Sequence, residues 1–225
     1  MSTKNIASYI DHTILNPDAA ASDVARICAE AVKYKFFSVC VNPIWVATVS
    51  AALADSGVLT CSVIGFPFGA TPTASKVFEA NTVVADGANE VDMVINIAAA
   101  KAGDEEALVA DISAVAQAVH AGGAILKVII ETALLTDDEK VLACRASVRA
   151  GADFVKTSTG FAGGGATLED VALMRATVGP EMGVKASGGV RSLQTALAMV
   201  AAGATRLGSS SGVAIVEGEQ GAEGY

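Results

Sequence analysis

Eight short apolar runs recur along this 225-residue chain, and they alternate with segments of helical character from one end to the other. The runs are SYIDHTIL (8–15), FSVCVN (37–42), LTCSVIGF (59–66), EVDMVIN (90–96), ILKVIIE (125–131), FVKTST (154–159), GVKASGG (183–189) and RLGSSS (206–211). Between them stand stretches such as SDVARICAEAVKY, DEEALVADISAVAQAVHAG and TDDEKVLACRASVRAG, several opening on Ser, Thr or Asp followed by acids, as N-caps do. Gly57, Gly87, Gly122, Gly151 and Gly203 each close such a stretch just before a strand, where a left-handed C-cap turns the chain back. Eight strand-helix units with short connections predict an α/β protein, a (β/α)8 TIM barrel formed by residues 1–225 as a single domain, with a short polar tail from about 218. An open doubly wound sheet fits less well, since it needs no more than about six strands. No GxGxxG follows the first strand and no GxxxxGK[ST] occurs.

The formal charge of -9 argues against nucleic acid or an anionic membrane as partner, so any anion must be recognised by a local site. Cys28, Cys40, Cys61 and Cys144 show no CxxC spacing, and MSTKNIASYIDHT does not resemble a signal peptide, which predicts reduced thiols and a cytoplasmic protein. The uncharged, helix-like stretch ISAVAQAVHAGGAIL is too short to cross a bilayer as a helix.

Three of the runs carry a lysine at intervals of 29 residues: Lys127, Lys156 and Lys185. Lysine is depleted from strands and almost never buried without a reason. Period-two alternation puts Val91, Met93, Ile95, Val155, Val184 and Ala186 under the helices. The opposite, inward face then carries Asp11, Thr13, Ser38, Cys40, Asn42, Asp92, Asn96, Lys127, Lys156, Ser158, Lys185 and Ser187. One such lysine could simply pair with Asp92, Asp11 or Glu131; three on consecutive strands point to a shared site. Crowded ammonium groups disfavour protonation, and a neutral amine attacks carbonyls to form a Schiff base. Lys156, flanked by the other two strands, is the candidate nucleophile, and Asp92, mid-strand in an apolar run, is placed to move a proton.

Gly188 and Gly189 follow the seventh run, and Gly208, Ser209, Ser210 and Ser211 the eighth, the two connections from which barrels commonly bind phosphate. Arg191 can add a charge-assisted contact. Small residues in tight turns are the alternative reading, and FAGGGAT (161–167) is either a cover or a flexible connection. His12 and His120 stand far apart without ligand spacing, so no metal is expected, and His12 is read as packing against helices or capping a strand. Cys40 faces inward beside the site and is read first as a small core residue.

On IDHTIL, SVCVNP, EVDMVIN, LKVIIET, FVKTSTGF followed by GGAT, VKASGGVR and GSSSG, the chain resembles the deoxyribose-phosphate aldolase family over essentially its whole length. The resemblance implies a class I aldolase of barrel fold that needs no cofactor. Lys156 would form the Schiff base, Asp92 and Lys185 would handle proton transfer, and phosphate contacts would fall on Gly160, Gly188, Gly189, Arg191, Gly208, Ser209 and Ser210. Lys127, Asp11 and Cys40 are possible supporting residues, as is Tyr225, since some relatives carry a C-terminal tyrosine that reaches the site; a frayed terminus is the other reading. The implied reaction joins or releases acetaldehyde and D-glyceraldehyde 3-phosphate, with 2-deoxy-D-ribose 5-phosphate as the phosphorylated sugar. A homo-oligomer, dimer or tetramer, is expected. Another lysine-dependent aldolase, a transaldolase, or a non-catalytic sugar-phosphate sensor remain the competing readings.

Overall fold

The computed structural model describes residues 6–221, so Tyr225 and the supporting role read for it lie outside the described residues. Eight parallel strands close on themselves in sequence order: β1 (Ile10–Ile14), β2 (Ser38–Val41), β3 (Leu59–Ile64), β4 (Glu90–Val94), β5 (Ile125–Ile129), β6 (Phe154–Lys156), β7 (Gly183–Ser187) and β8 (Arg206–Ser209). β1 pairs with both β2 and β8, which completes the barrel. Around it run α1 (Ala21–Tyr34), α2 (Val46–Ala52), α3 (Thr73–Ala85), α4 (Ile97–Lys101), α5 (Glu105–Ala121), α6 (Asp137–Arg149), α7 (Leu168–Val178), α8 (Leu193–Ala201) and α9 (Gly212–Glu217). No described helix is long and apolar enough to cross a membrane.

The helices start where capping residues stand. Asp104, Thr167 and Ser192 accept bonds from the amides of Ala107, Asp170 and Thr195, at 3.0, 3.0 and 3.1 Å. Thr136 and Glu139 form a reciprocal capping box. Leu108, Ile112, Val115 and Val119 make one stripe along α5 and are fully buried against the outward faces of the strands. Val91, Met93, Ile95, Val155, Val184 and Ala186 meet such stripes in the continuous outer core, as the alternation requires. Each fully buried side chain of this size contributes roughly 1.5–3 kcal/mol. One charged pair interrupts this layer: Lys76 of α3, fully buried, donates to Asp111 of α5 at 2.6 Å and to the Val94 carbonyl at 2.9 Å.

Two details depart from the sequence reading. Gly57, Gly87, Gly151 and Gly203 adopt positive φ as expected, but at the end of α5 the left-handed residue is Gly123, with φ 79°. Gly122 keeps φ -89° and is small for another reason, since a Cβ there would lie 2.3 Å from Val84 Cγ1. The strands also stop before the apolar runs do. β6 ends at Lys156; Thr157 still exchanges backbone bonds with Lys185 and Thr132, and by Thr159 the amide donates instead to the Glu131 carboxylate at 3.2 Å. Those early ends leave the C-terminal rim to irregular connections that carry polar residues.

Candidate active site

Asp92 on β4 collects three ammonium groups. Its Oδ1 accepts from Lys127 Nζ at 2.9 Å, and its Oδ2 accepts from Lys156 and Lys185 Nζ at 2.8 Å each. Lys185 also meets Asp11 Oδ2 at 2.5 Å, and Lys127 meets Glu90 at 2.6 Å. Arg206 closes the network below, 2.9 Å from both Asp11 Oδ1 and Glu90 Oε2, with its guanidinium 3.4 Å over the Phe37 ring. Ser38 donates to Asp11 Oδ1 at 2.8 Å. Every member is buried.

The expected crowding of unopposed ammonium groups is therefore not what surrounds Lys156. Lys127, Lys156, Lys185 and Arg206 are interleaved with Asp11, Glu90 and Asp92, leaving a surplus of one positive charge rather than three. Burial alone would raise the Asp92 carboxyl, but Lys127, Lys156 and Lys185 override it and hold the group well below the usual carboxylate range. Asp11 is likewise lowered, its burial outweighed by Lys185, Lys127 and Arg206. Burial would depress Lys185 and Lys127; instead Asp11 and Asp92 hold Lys185 above its ordinary value, and Asp92 with Glu90 does the same for Lys127. Sequence reasoning missed Glu90 and Arg206, although each stands two residues before an inward-facing position, Asp92 and Gly208.

Strand register sets Lys127 apart from the other two lysines. Lys156 pairs with Lys185 across β6 and β7, whereas Lys127 pairs with Phe154 and so sits one step lower. Lys127 and Lys185 are fully buried; Lys156 alone of the three lines the cleft at the C-terminal rim. Gly208 makes room for this arrangement, since a Cβ there would lie 2.2 Å from Ser187 Oγ and 3.1 Å from Lys185 Cε.

Gly160, Gly188, Gly189, Arg191, Gly208, Ser209 and Ser210 all line the same cleft as Lys156, together with Thr13, Leu15, Thr159, Ser187 and Val190. No carboxylate is among the lining residues, and the backbone N-H groups of Gly189 and Ser210 find no acceptor among the described residues. A wall of amides, a guanidinium and an ammonium, without acids, suits an anion. The Ser209 hydroxyl itself is occupied in tying the rim together, donating to the Val190 carbonyl at 2.6 Å and accepting from the Ser211 amide at 3.0 Å. FAGGGAT is neither a loose cover nor a free linker: the Ala166 amide donates to the Ser187 and Gly188 carbonyls at 3.0 Å, and a Cβ on Gly165 would lie 2.5 Å from Gly188 O.

Glu131, read from sequence as a possible lysine partner, serves another neighbour. It holds a left-handed φ of 59° and accepts from both the amide and the hydroxyl of Thr159, whose Oγ1 also accepts from the Phe161 amide at 3.0 Å. Burial raises its carboxyl above the ordinary value, with the Thr159 hydrogen bonds and Lys156 opposing. Asn96 and Asn42, both on the inward list, serve the backbone instead, Asn96 capping α4 and Asn42 bonding the Leu15 carbonyl. His12 packs on Phe36 and meets Glu30 of α1 at 2.6 Å, away from the site.

Cys40 is fully buried and does not line the cleft; it stands beside Cys61 on the next strand. Their sulfurs and an Asp92 oxygen lie within 4.8 Å of one another. Ammonium groups already occupy Asp92, and Lys127 donates to Cys61 Sγ at 3.4 Å, so a cation placed there would face like charges at contact distance.

Residues 5–218 match the family model described as DeoC/LacD family aldolase. A curated protein of Oceanobacillus iheyensis named deoxyribose-phosphate aldolase 1 is 58% identical over 221 residues, 98% of this chain and 100% of that protein. The deoxyribose-phosphate aldolase of Micrococcus luteus is 59% identical over 222 residues, 96% of this chain and 97% of its own length. Among solved structures, the tetrameric deoxyribose phosphate aldolase from Aeropyrum pernix superposes with a TM-score of 0.90 at 39% identity, covering 96% of this chain and 91% of that one.

Proposed function

We propose that this chain, which belongs to the DeoC/LacD family of aldolases, reversibly cleaves 2-deoxy-D-ribose 5-phosphate to D-glyceraldehyde 3-phosphate and acetaldehyde through a Schiff base on Lys156. The observation that carries the assignment of roles is that Lys156 alone of the three barrel lysines opens onto the cleft, beside an acid-free cradle for phosphate and 2.8 Å from Asp92.

The Lys156 ammonium gives its proton to a water in the cleft, the free amine adds to the C1 aldehyde of the open-chain sugar, and loss of water leaves an iminium. The positive nitrogen draws the electrons of the C2–C3 bond as the C3 hydroxyl gives up its proton to a water in the cleft, the same carrier that later returns a proton to C2. C3 and the phosphorylated end leave as glyceraldehyde 3-phosphate, and an enamine remains on Lys156. Protonation at C2 and hydrolysis release acetaldehyde and restore the amine. Asp92, held ionised, stabilises the iminium cation on the Lys156 nitrogen before the bond breaks and again after the enamine is protonated, while Lys185, holding its proton, keeps Asp92 ionised and orients the water that carries protons. The backbone amides of Gly189 and Ser210 and the Arg191 guanidinium fix the phosphate, which sets the distance between C1 and the amine.

The same reading places the enzyme in the cytoplasm, in deoxyribonucleotide breakdown, as a homo-oligomer; four free cysteines and the tetrameric Aeropyrum pernix relative support it. Borohydride added with substrate should fix a covalent adduct on Lys156, located by peptide mapping. Turnover with an unmodified Lys156, or trapping on another lysine, defeats the mechanism.

A further inference from the structure

Two thiols stand against the reaction centre and take no part in the chemistry above. Cys40 on β2 and Cys61 on β3 are direct partners in the parallel register, both point into the barrel, and both are fully buried. Neighbouring strands run roughly 4.8 Å apart, inside the Cα separation of about 4.4–6.8 Å that a disulfide spans. We propose that Cys40 and Cys61 are a peroxide-oxidisable pair that closes to an intramolecular disulfide and switches the enzyme off reversibly.

The sulfurs share an environment that favours this chemistry. Lys127 donates to Cys61 Sγ at 3.4 Å, and Cys61 in turn donates to Asp92 Oδ1 at 3.4 Å. The Cys61 thiol beside Cys40 and the Lys185 and Lys156 ammonium groups favour a thiolate on Cys40 against the cost of burial, whereas burial pushes Cys61 up. Cys40 is thus the attacking sulfur and Cys61 the resolving one. Leu15 belongs both to the cleft lining and to the inner cluster with Cys40 and Cys61, which places the pair's cluster against a cleft that a molecule the size of peroxide can enter.

In the first step the Cys40 sulfur attacks one peroxide oxygen, the O–O bond breaks, and hydroxide leaves with the thiol proton as water. The sulfenic acid on Cys40 is then displaced by the Cys61 sulfur: the S–S bond forms and the sulfenic oxygen departs with the Cys61 proton as a second water. One peroxide is reduced to two waters and the two thiols lose two electrons between them. Parallel in-register strands hold the two Cβ atoms slightly wider than a relaxed bridge prefers, which makes such a bond readily reducible. Closing it removes the Cys61 donor from Asp92 and the acceptor from Lys127 and draws the β2–β3 wall inward beside the nucleophile's partner.

The test treats the whole protein with hydrogen peroxide, quenches, and counts thiols after denaturation. The four free thiols should fall to two, the intact mass should drop by two hydrogens, and mapping should join the peptides of Cys40 and Cys61. Cys28 and Cys144, whose thiols burial pushes up to about 11 and about 12, serve as internal controls that stay free. Turnover should fall on the order of 10²-fold, the effect of an ångström-scale shift near the chemistry, and dithiothreitol should restore it. In C61S, scaled to its own starting activity, Cys40 should gain oxygens without a cross-link, and prolonged exposure should become irreversible. Four thiols remaining, loss confined to Cys28 or Cys144, or a wild-type Cys40 that gains oxygens without joining Cys61 overturns the proposal. Thiol count and mass read the pair whatever sugar the enzyme cleaves.

Discussion

Asp92→Asn keeps the side chain's shape and removes one charge from a buried set of four cations and three carboxylates, so the surplus rises from one positive charge to two. Three ammonium groups lose a carboxylate 2.8–2.9 Å away. Removing one partner of a single buried pair costs about 3–5 kcal/mol, and here one carboxylate serves three. The folded variant has an escape, which is to release a proton from one lysine. That costs about 1.36 kcal/mol for each pH unit below the ordinary lysine value near 10.4, about 4.6 kcal/mol at pH 7 and about 1.9 kcal/mol at pH 9. The destabilisation is capped by this route, so it should be about 4–5 kcal/mol at pH 7 and shrink to about 2 kcal/mol at pH 9. The sign follows from linkage: over that window the variant's unfolded chain binds one proton more than its folded form, so its stability rises with pH. In the parent protein Lys127 and Lys185 are held above their ordinary value and keep their protons there. Urea denaturation of both proteins at the two pH values measures the gap, and melting at pH 7 should drop by about 10–20 °C. Turnover should fall about 10²- to 10⁴-fold. A gap under about 1 kcal/mol at pH 7, or one that does not narrow by pH 9, refutes the reasoning.

Arg191→Ala should raise the KM for the phosphorylated sugar about 10- to 100-fold, the worth of a hydrogen bond to a charged group, and leave unphosphorylated deoxyribose nearly unchanged; equal effects remove Arg191 from the phosphate site. Gly165→Ala puts a Cβ 2.5 Å from the Gly188 carbonyl, backbone against backbone, and should cost about 1–3 kcal/mol along with weaker phosphate affinity; unchanged melting and KM speak against a packed rim. Asp92 and Asp11 both sit below the ordinary value of 3.8, so the stability they contribute is complete above that pH and lost as pH falls further through their folded values. Melting temperature should therefore decline steadily below about pH 4, and less so in Asp11→Asn, whereas a flat profile down to about pH 2.5 contradicts the network.

What the chain alone determined was local and periodic. Alternation of side chains along a strand depends only on the residues themselves, so Asp92, Lys127, Lys156 and Lys185 were legible as inward-facing, and capping residues such as Thr136 and Asp104 marked helix starts. α2, α4 and α9 were not legible, because segments of seven, five and six residues are too short to show a helical period. Gly122 and Gly123 looked alike until Val84 packed against one of them. Charge balance was equally out of reach: Arg206 and Glu90 lie 116 residues apart, and only closure of the cylinder brings them together. Height within the barrel belongs to the tertiary structure too. A residue's rank in its own strand is set by its neighbours, but its level relative to other strands is set by the stagger that all eight accept to close, and that stagger sinks Lys127 beside Phe154 while lifting Lys156 into the cleft.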